Sequence, residues 1–73
     1  MSQQLTSDNT DDLGILLSQT HPELNPLEVQ FSDLQRYVAA LPEFKGDPKE
    51  LNQSKLEAIQ MAWHEEFLDR TQG

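Results

Sequence analysis

Apolar positions recur in this chain in three stretches with helical spacing, separated by polar, proline-containing connections. Leu13, Leu16 and Leu17 stand at i, i+3 and i+4. Leu34, Tyr37, Val38 and Leu41 form a second such face. Leu56, Ile59, Trp63 and Phe67 form a third, at steps of three, four and four. Each set gives one side of a helix an apolar surface and leaves the rest polar. Helices of this kind hide their faces against one another. The pattern therefore predicts an all-α fold, a compact three-helix bundle.

Local signals place the boundaries. Thr10 offers a capping hydroxyl before Asp11 and Asp12, whose charges suit the start of a helix. That helix should stop near Thr20, because Pro22 pushes His21 out of the α region. Gly14 inside it costs up to about 1 kcal/mol relative to alanine. Pro22 and Pro26 make the next stretch turn-rich, and Val29-Gln30-Phe31 reads as a short, partly buried extended link. Ser32 reads as an N-cap with Gln35 at the capping-box spacing, so the second helix is expected from Asp33 to Ala40. A loop follows, with Phe44 as its anchor. Asp47-Pro48-Lys49-Glu50 carries an acid cap, a proline at the first helical position and a glutamate at the box position. Asn52 offers a second start. The last helix should reach Phe67 or Leu68, with Ala58 and Ala62 allowing close approach and Arg70 suiting its C-terminal end. On this pattern, residues 1–10 form a flexible N-terminal segment, 11–69 a single helical domain and 70–73 a tail.

Size and charge narrow the function classes. A chain of 73 residues makes one domain at most and buries only a small core. It has no cysteine, which excludes disulfides, thiolate metal sites and a cysteine nucleophile, and fits the cytosol. No apolar run approaches the roughly 18–20 residues that span a bilayer. Met1-Ser2-Gln3-Gln4 lacks the features of a signal peptide, so a cytoplasmic location is expected. The net charge is −8, and residues 1–35 hold six acids before the first base, Arg36. Such a surface repels nucleic acid and anionic membranes and attracts cations or a basic protein surface.

Catalytic chemistry finds little support. No serine sits on a nucleophile elbow, and Ser32 is better used as a cap. The three glycines are scattered and form no phosphate loop. No nucleophile–base pair is visible, so an enzyme is not expected. His64, between Trp63 and Glu65, reads as a solvated position, and Trp63 as core. Carboxylates are the remaining resource. Asp8, Asp11 and Asp12 stand at i, i+3 and i+4, and Glu65, Glu66 and Asp69 at i, i+1 and i+4. Both sets are candidate metal ligands whose hard oxygens suit Fe²⁺, Mn²⁺, Mg²⁺ or Ca²⁺, weakly unless the ion is enclosed.

One ordered set of anchors is more specific than any of these. It runs His21-Pro22-Glu23-Leu24-Asn25-Pro26, then Val29-Gln30-Phe31-Ser32-Asp33-Leu34, Leu41-Pro42-Glu43-Phe44, Asp47-Pro48, and Leu56-Glu57-Ala58-Ile59 with Trp63. This closely resembles the IscX family, small acidic accessory proteins of bacterial iron–sulfur cluster assembly. The family pattern is aromatic-Pro-Asp-Leu-Asp-Pro, Val-x-Phe-Thr-Asp, Leu-x-x-Phe, Asp-Pro and Leu-Glu-Ala-Ile-x-x-x-Trp. The resemblance covers His21 to Glu66 without a gap, 46 of 73 residues. His21 takes the aromatic position of the pattern, which implies a packing role.

The resemblance implies a winged-helix-like variant of the bundle, with no DNA binding implied by the scaffold. It implies a non-enzymatic adaptor that acts as a monomer. The adaptor binds the cysteine desulfurase IscS on a basic surface near its active site, modulates its activity and binds ferrous iron weakly, with no tightly bound cofactor. Asp33, Glu43, Asp47 and Glu57 are the candidate partner contacts, Asp33 and Glu57 at acidic positions of the pattern. The alternative is a general acidic interaction module, or nucleic-acid mimic, for an unrelated basic protein. The chain departs from the family where acids are common: Ala40, Pro42, Lys45 and Gly46 stand there instead. The aromatic usual at the start of the first helix is missing, with Ser7 or its neighbours in its place. Asp8, Asp11 and Asp12 are added in exchange.

Overall fold

Gln53–Gln72 forms one long helix, α3, against which the rest of the chain packs. The structure is a computed structural model and describes residues 4–72. Two shorter helices precede α3: α1 (Thr10–Thr20) and α2 (Phe31–Ala40). A 3-10 turn, Pro26–Glu28, lies between α1 and α2, and a second, Pro48–Glu50, between α2 and α3. The three apolar faces meet as the spacing predicts. Leu13, Leu17, Leu34, Val38, Leu56, Ile59 and Trp63 are all buried, while Leu16 and Tyr37 are half-buried against them. The Cα radius of gyration is 11.2 Å, which matches the roughly 11 Å of a compact chain this long.

Gly14 sets the approach of α1 to α3. A Cβ at this position would lie 2.6 Å from the Ala62 Cβ and 2.7 Å from the Trp63 backbone nitrogen. The glycine costs helix propensity but permits a close approach of α1 to α3, and α1 buries Leu13 and Leu17 there.

The helix starts obey packing as much as caps. α2 begins at Phe31, with Gln30 as its extended N-cap, and Ser32 lies inside the first turn, exposed. The half-buried Phe31 ring packs on the core, and this contact fixes the entry point ahead of the expected serine cap. Only Val29 and Gln30 are extended in the expected link. Thr10 is helical, and Asn9 precedes it with its side chain turned back to accept the Thr6 N–H at 2.9 Å. Both starts proposed for the last helix are realised, in sequence. The Asp47 carboxylate accepts the Lys49 N–H at 2.9 Å and caps the second 3-10 turn, and Asn52 Oδ1 accepts the Lys55 N–H at 2.9 Å and caps α3. Asn52→Ala should therefore cost about 1 kcal/mol, seen as a lower urea midpoint at unchanged slope.

Both ends of the helical domain lie further out than the sequence places them. Leu5 is buried and forms a parallel bridge with Phe44. Its N–H donates to the Glu43 carbonyl at 2.9 Å, and its own carbonyl accepts the Lys45 N–H at 2.7 Å. Ser7 is buried too. Gly46 makes room for this segment, since a Cβ there would lie 3.1 Å from the Thr6 Cα. The expected flexible segment 1–10 is thus corrected from Leu5 onward; residues 1–3 lie outside the described residues. A buried leucine with two backbone bonds belongs to the domain. At the other end, α3 continues to Gln72, so Arg70 lies in its last turn rather than in a tail. The Leu5–Phe44 bridge is the β pairing among the described residues. The all-α description holds, and the winged-helix comparison rests on the resemblance alone.

Candidate functional site

The approach of α1 to α3 at Gly14 brings together acids from the two ends of the sequence. Asp11 on α1 and Glu65, Glu66 and Asp69 on α3 line one open groove of about 280 Å³, together with Ile15 and Ala62. No basic side chain lines it. Asp11, Glu65 and Asp69 are exposed and Glu66 is half-buried, so water screens their mutual repulsion. The groove concentrates negative potential where a cation or a basic side chain can approach. Among the described residues, no three His, Cys, Asp or Glu side chains cluster tightly enough to hold a metal ion.

Two of the six carboxylates considered as ligands do not line this groove. Asp8 pairs with the Lys55 ammonium, and Asp12 lies exposed on α1. With Asp8 81% exposed, that ion pair adds little stability.

The four candidate partner contacts are spread over different elements. Asp33 accepts from the Arg36 guanidinium at 2.8 Å within the first turns of α2. Glu43 is half-buried beside the Leu5 bridge, and its carbonyl is used there. Asp47 is engaged in its own turn. Glu57 is exposed on α3, with Gln53 Nε2 at 3.4 Å from its carboxylate. Asp33 and Asp47 lie on neighbouring elements, since Gln35 Nε2 donates to the Pro48 carbonyl at 2.7 Å. Nothing draws these four into one groove as it does the α1–α3 acids.

The aromatic side chains serve the core. His21 packs against Tyr37 at 4.7 Å between ring centroids and against Trp63 at 6.3 Å. Trp63 is fully buried, with its indole N–H unpartnered. His64 departs from expectation. It is half-buried, with Nδ1 shut away from solvent and unpartnered. Gln60, one turn before it, donates from Nε2 to the Pro26 carbonyl at 2.9 Å. The first 3-10 turn thus lies against α3 at Gln60, one turn before His64.

Two exposed apolar side chains are absent from the sequence prediction, Leu27 at 60% and Met61 at 66% exposure. The signal was available for Met61, which falls outside the Leu56–Ile59–Trp63 face. Leu27 sits in a turn whose tertiary contact the sequence does not announce.

A sequence profile described as iron–sulphur cluster assembly matches residues 5–68. Its first matched residue, Leu5, is also the first buried one among the described residues. A Pseudomonas aeruginosa protein, itself described as uncharacterized, is 47% identical over 55 residues, which span 75% of this chain and 83% of that protein.

Proposed function

The chain belongs to the IscX family of iron–sulphur cluster assembly, and from that membership we propose that it is a non-enzymatic, monomeric, cytoplasmic adaptor that binds cysteine desulfurase through its acidic surface and modulates its activity. The convergence of Asp11, Glu65, Glu66 and Asp69 on one groove is the observation that carries this reading. Acids from distant parts of the chain share one groove that no basic side chain lines among the described residues. Such a surface speeds encounter with a basic partner and can hold it by charge-assisted hydrogen bonds. Ferrous iron binds the same carboxylates weakly, as cargo or counter-ion, since hard oxygen ligands on an open groove do not enclose it. No helix among the described residues is long and apolar enough to cross a membrane.

Calorimetric titration into purified cysteine desulfurase, at low and high salt and with or without Fe²⁺, tests the reading. Affinity should be micromolar or better at low salt and fall at least about tenfold at high salt. Neutralising the groove with Asp11→Asn, Glu65→Gln, Glu66→Gln and Asp69→Asn should abolish most of that salt dependence. Absence of heat at low salt would sink the adaptor reading. Unchanged affinity at high salt would sink its electrostatic mechanism.

A further inference from the structure

Among the described residues, Leu27 and Met61 are the two most exposed large apolar side chains. They belong to one region of the surface. The Gln60–Pro26 hydrogen bond ties the first 3-10 turn to α3, and Leu27 and Met61 are the residues that follow its two partners. Both point to solvent where the neighbouring Pro26 is buried and Gln60 half-buried. Helical geometry puts Glu57 and Glu65 one turn before and one turn after Met61. Glu28 follows Leu27 in the turn, and all three glutamates are exposed. No lysine or arginine occurs between His21 and Phe31 or between Leu56 and Asp69. The Lys/Arg/Asp/Glu residues nearest the pair along the chain are therefore all acids.

This acidic frame selects the occupant. A second copy of this chain would set acid against acid, and an anionic membrane or a nucleic acid would be repelled in the same way. A basic protein surface would be drawn in. We propose that Leu27 and Met61 form an apolar docking face that inserts into a depression rimmed by basic side chains on the protein partner. Methionine suits this use, because its flexible thioether adapts to an irregular pocket. The frame steers the approach, and the two side chains then lose their water against the partner. The proposal rests on the basic-partner reading above. It adds an apolar site beside the acidic groove, with which its frame shares Glu65, and a part of the affinity that salt does not screen.

The test turns on the sign of an added charge. Leu27→Asp/Met61→Asp removes both apolar side chains and makes the surface more negative. Binding by charge alone would leave its affinity for purified cysteine desulfurase unchanged or improved at low salt. Docking through this face predicts at least a tenfold loss there, and loss of the binding that wild type retains at high salt. Leu27→Gln/Met61→Gln should weaken binding by a similar factor without new charge. Circular dichroism and urea denaturation confirm that each variant is folded. Wild-type-like affinity in both variants overturns the docking face and leaves the adaptor reading standing. Failure of the wild-type protein to bind removes the adaptor reading, and the docking face with it.

Discussion

Trp63→Ala should lose about 3–5 kcal/mol of stability. A domain of this length holds only ~4–11 kcal/mol in total, so a large share of that stability should be lost. Trp63 is fully buried and meets His21 and Tyr37 as well as the aliphatic core. Thermal denaturation followed by far-ultraviolet circular dichroism should show a midpoint lowered by more than about 10 °C. A sharp transition near the wild-type midpoint would mean that the core closes without this ring. Trp63→Phe separates volume from polarity. It keeps most of the apolar bulk and deletes the unpartnered indole N–H, whose burial itself costs about 1–3 kcal/mol. Its loss should be a small fraction of that seen with alanine.

Gly14→Val is the second large effect. Every side chain at this position begins with a Cβ 2.6 Å from the Ala62 Cβ and 2.7 Å from a backbone nitrogen. The backbone atom cannot rotate aside, so α1 must lift from α3. Overpacking of this kind costs about 1–3 kcal/mol; the upper end is expected here because a helix axis moves. Gly14→Ala carries the same first contact, partly offset by a helix-propensity gain of up to about 1 kcal/mol. Ala62→Gly in that background should recover part of the loss, since it removes one clash and leaves the other. Fluorescence of the single, buried Trp63 during urea unfolding reads each variant. A Gly14→Val protein as stable as wild type would show that the α1–α3 contact has slack.

The parts of this fold that were legible in the sequence are those written in a short repeat. α3 and its buried face follow from Leu56, Ile59 and Trp63, and Asn52 and Asp47 announce themselves by chemistry. The missed parts depend on a neighbour distant in sequence. Leu5 stands alone in a polar stretch and has no period, so its pairing with Phe44 leaves no local trace. Ser32 has the right chemistry for a cap, yet burial of Phe31 outweighs it. Gly46 looks like a lost acid and is in fact the space that Thr6 needs. The candidate site divides the same way. Both acidic clusters can be read from the chain, but the meeting of Asp11 alone with Glu65, Glu66 and Asp69 follows from the approach of α1 to α3 at Gly14. His64 looks solvated until the Pro26 turn is placed beside α3.

The central place of α3 also bears on synthesis. Translation delivers α1 and α2 first, yet their apolar faces close chiefly against α3, which follows them. A nascent chain lacking α3 lacks most of the cover for Leu13, Leu17, Leu34 and Val38. Folding on the ribosome must therefore wait for α3 to emerge, and during that interval the exposed leucines are open to chaperones and proteases.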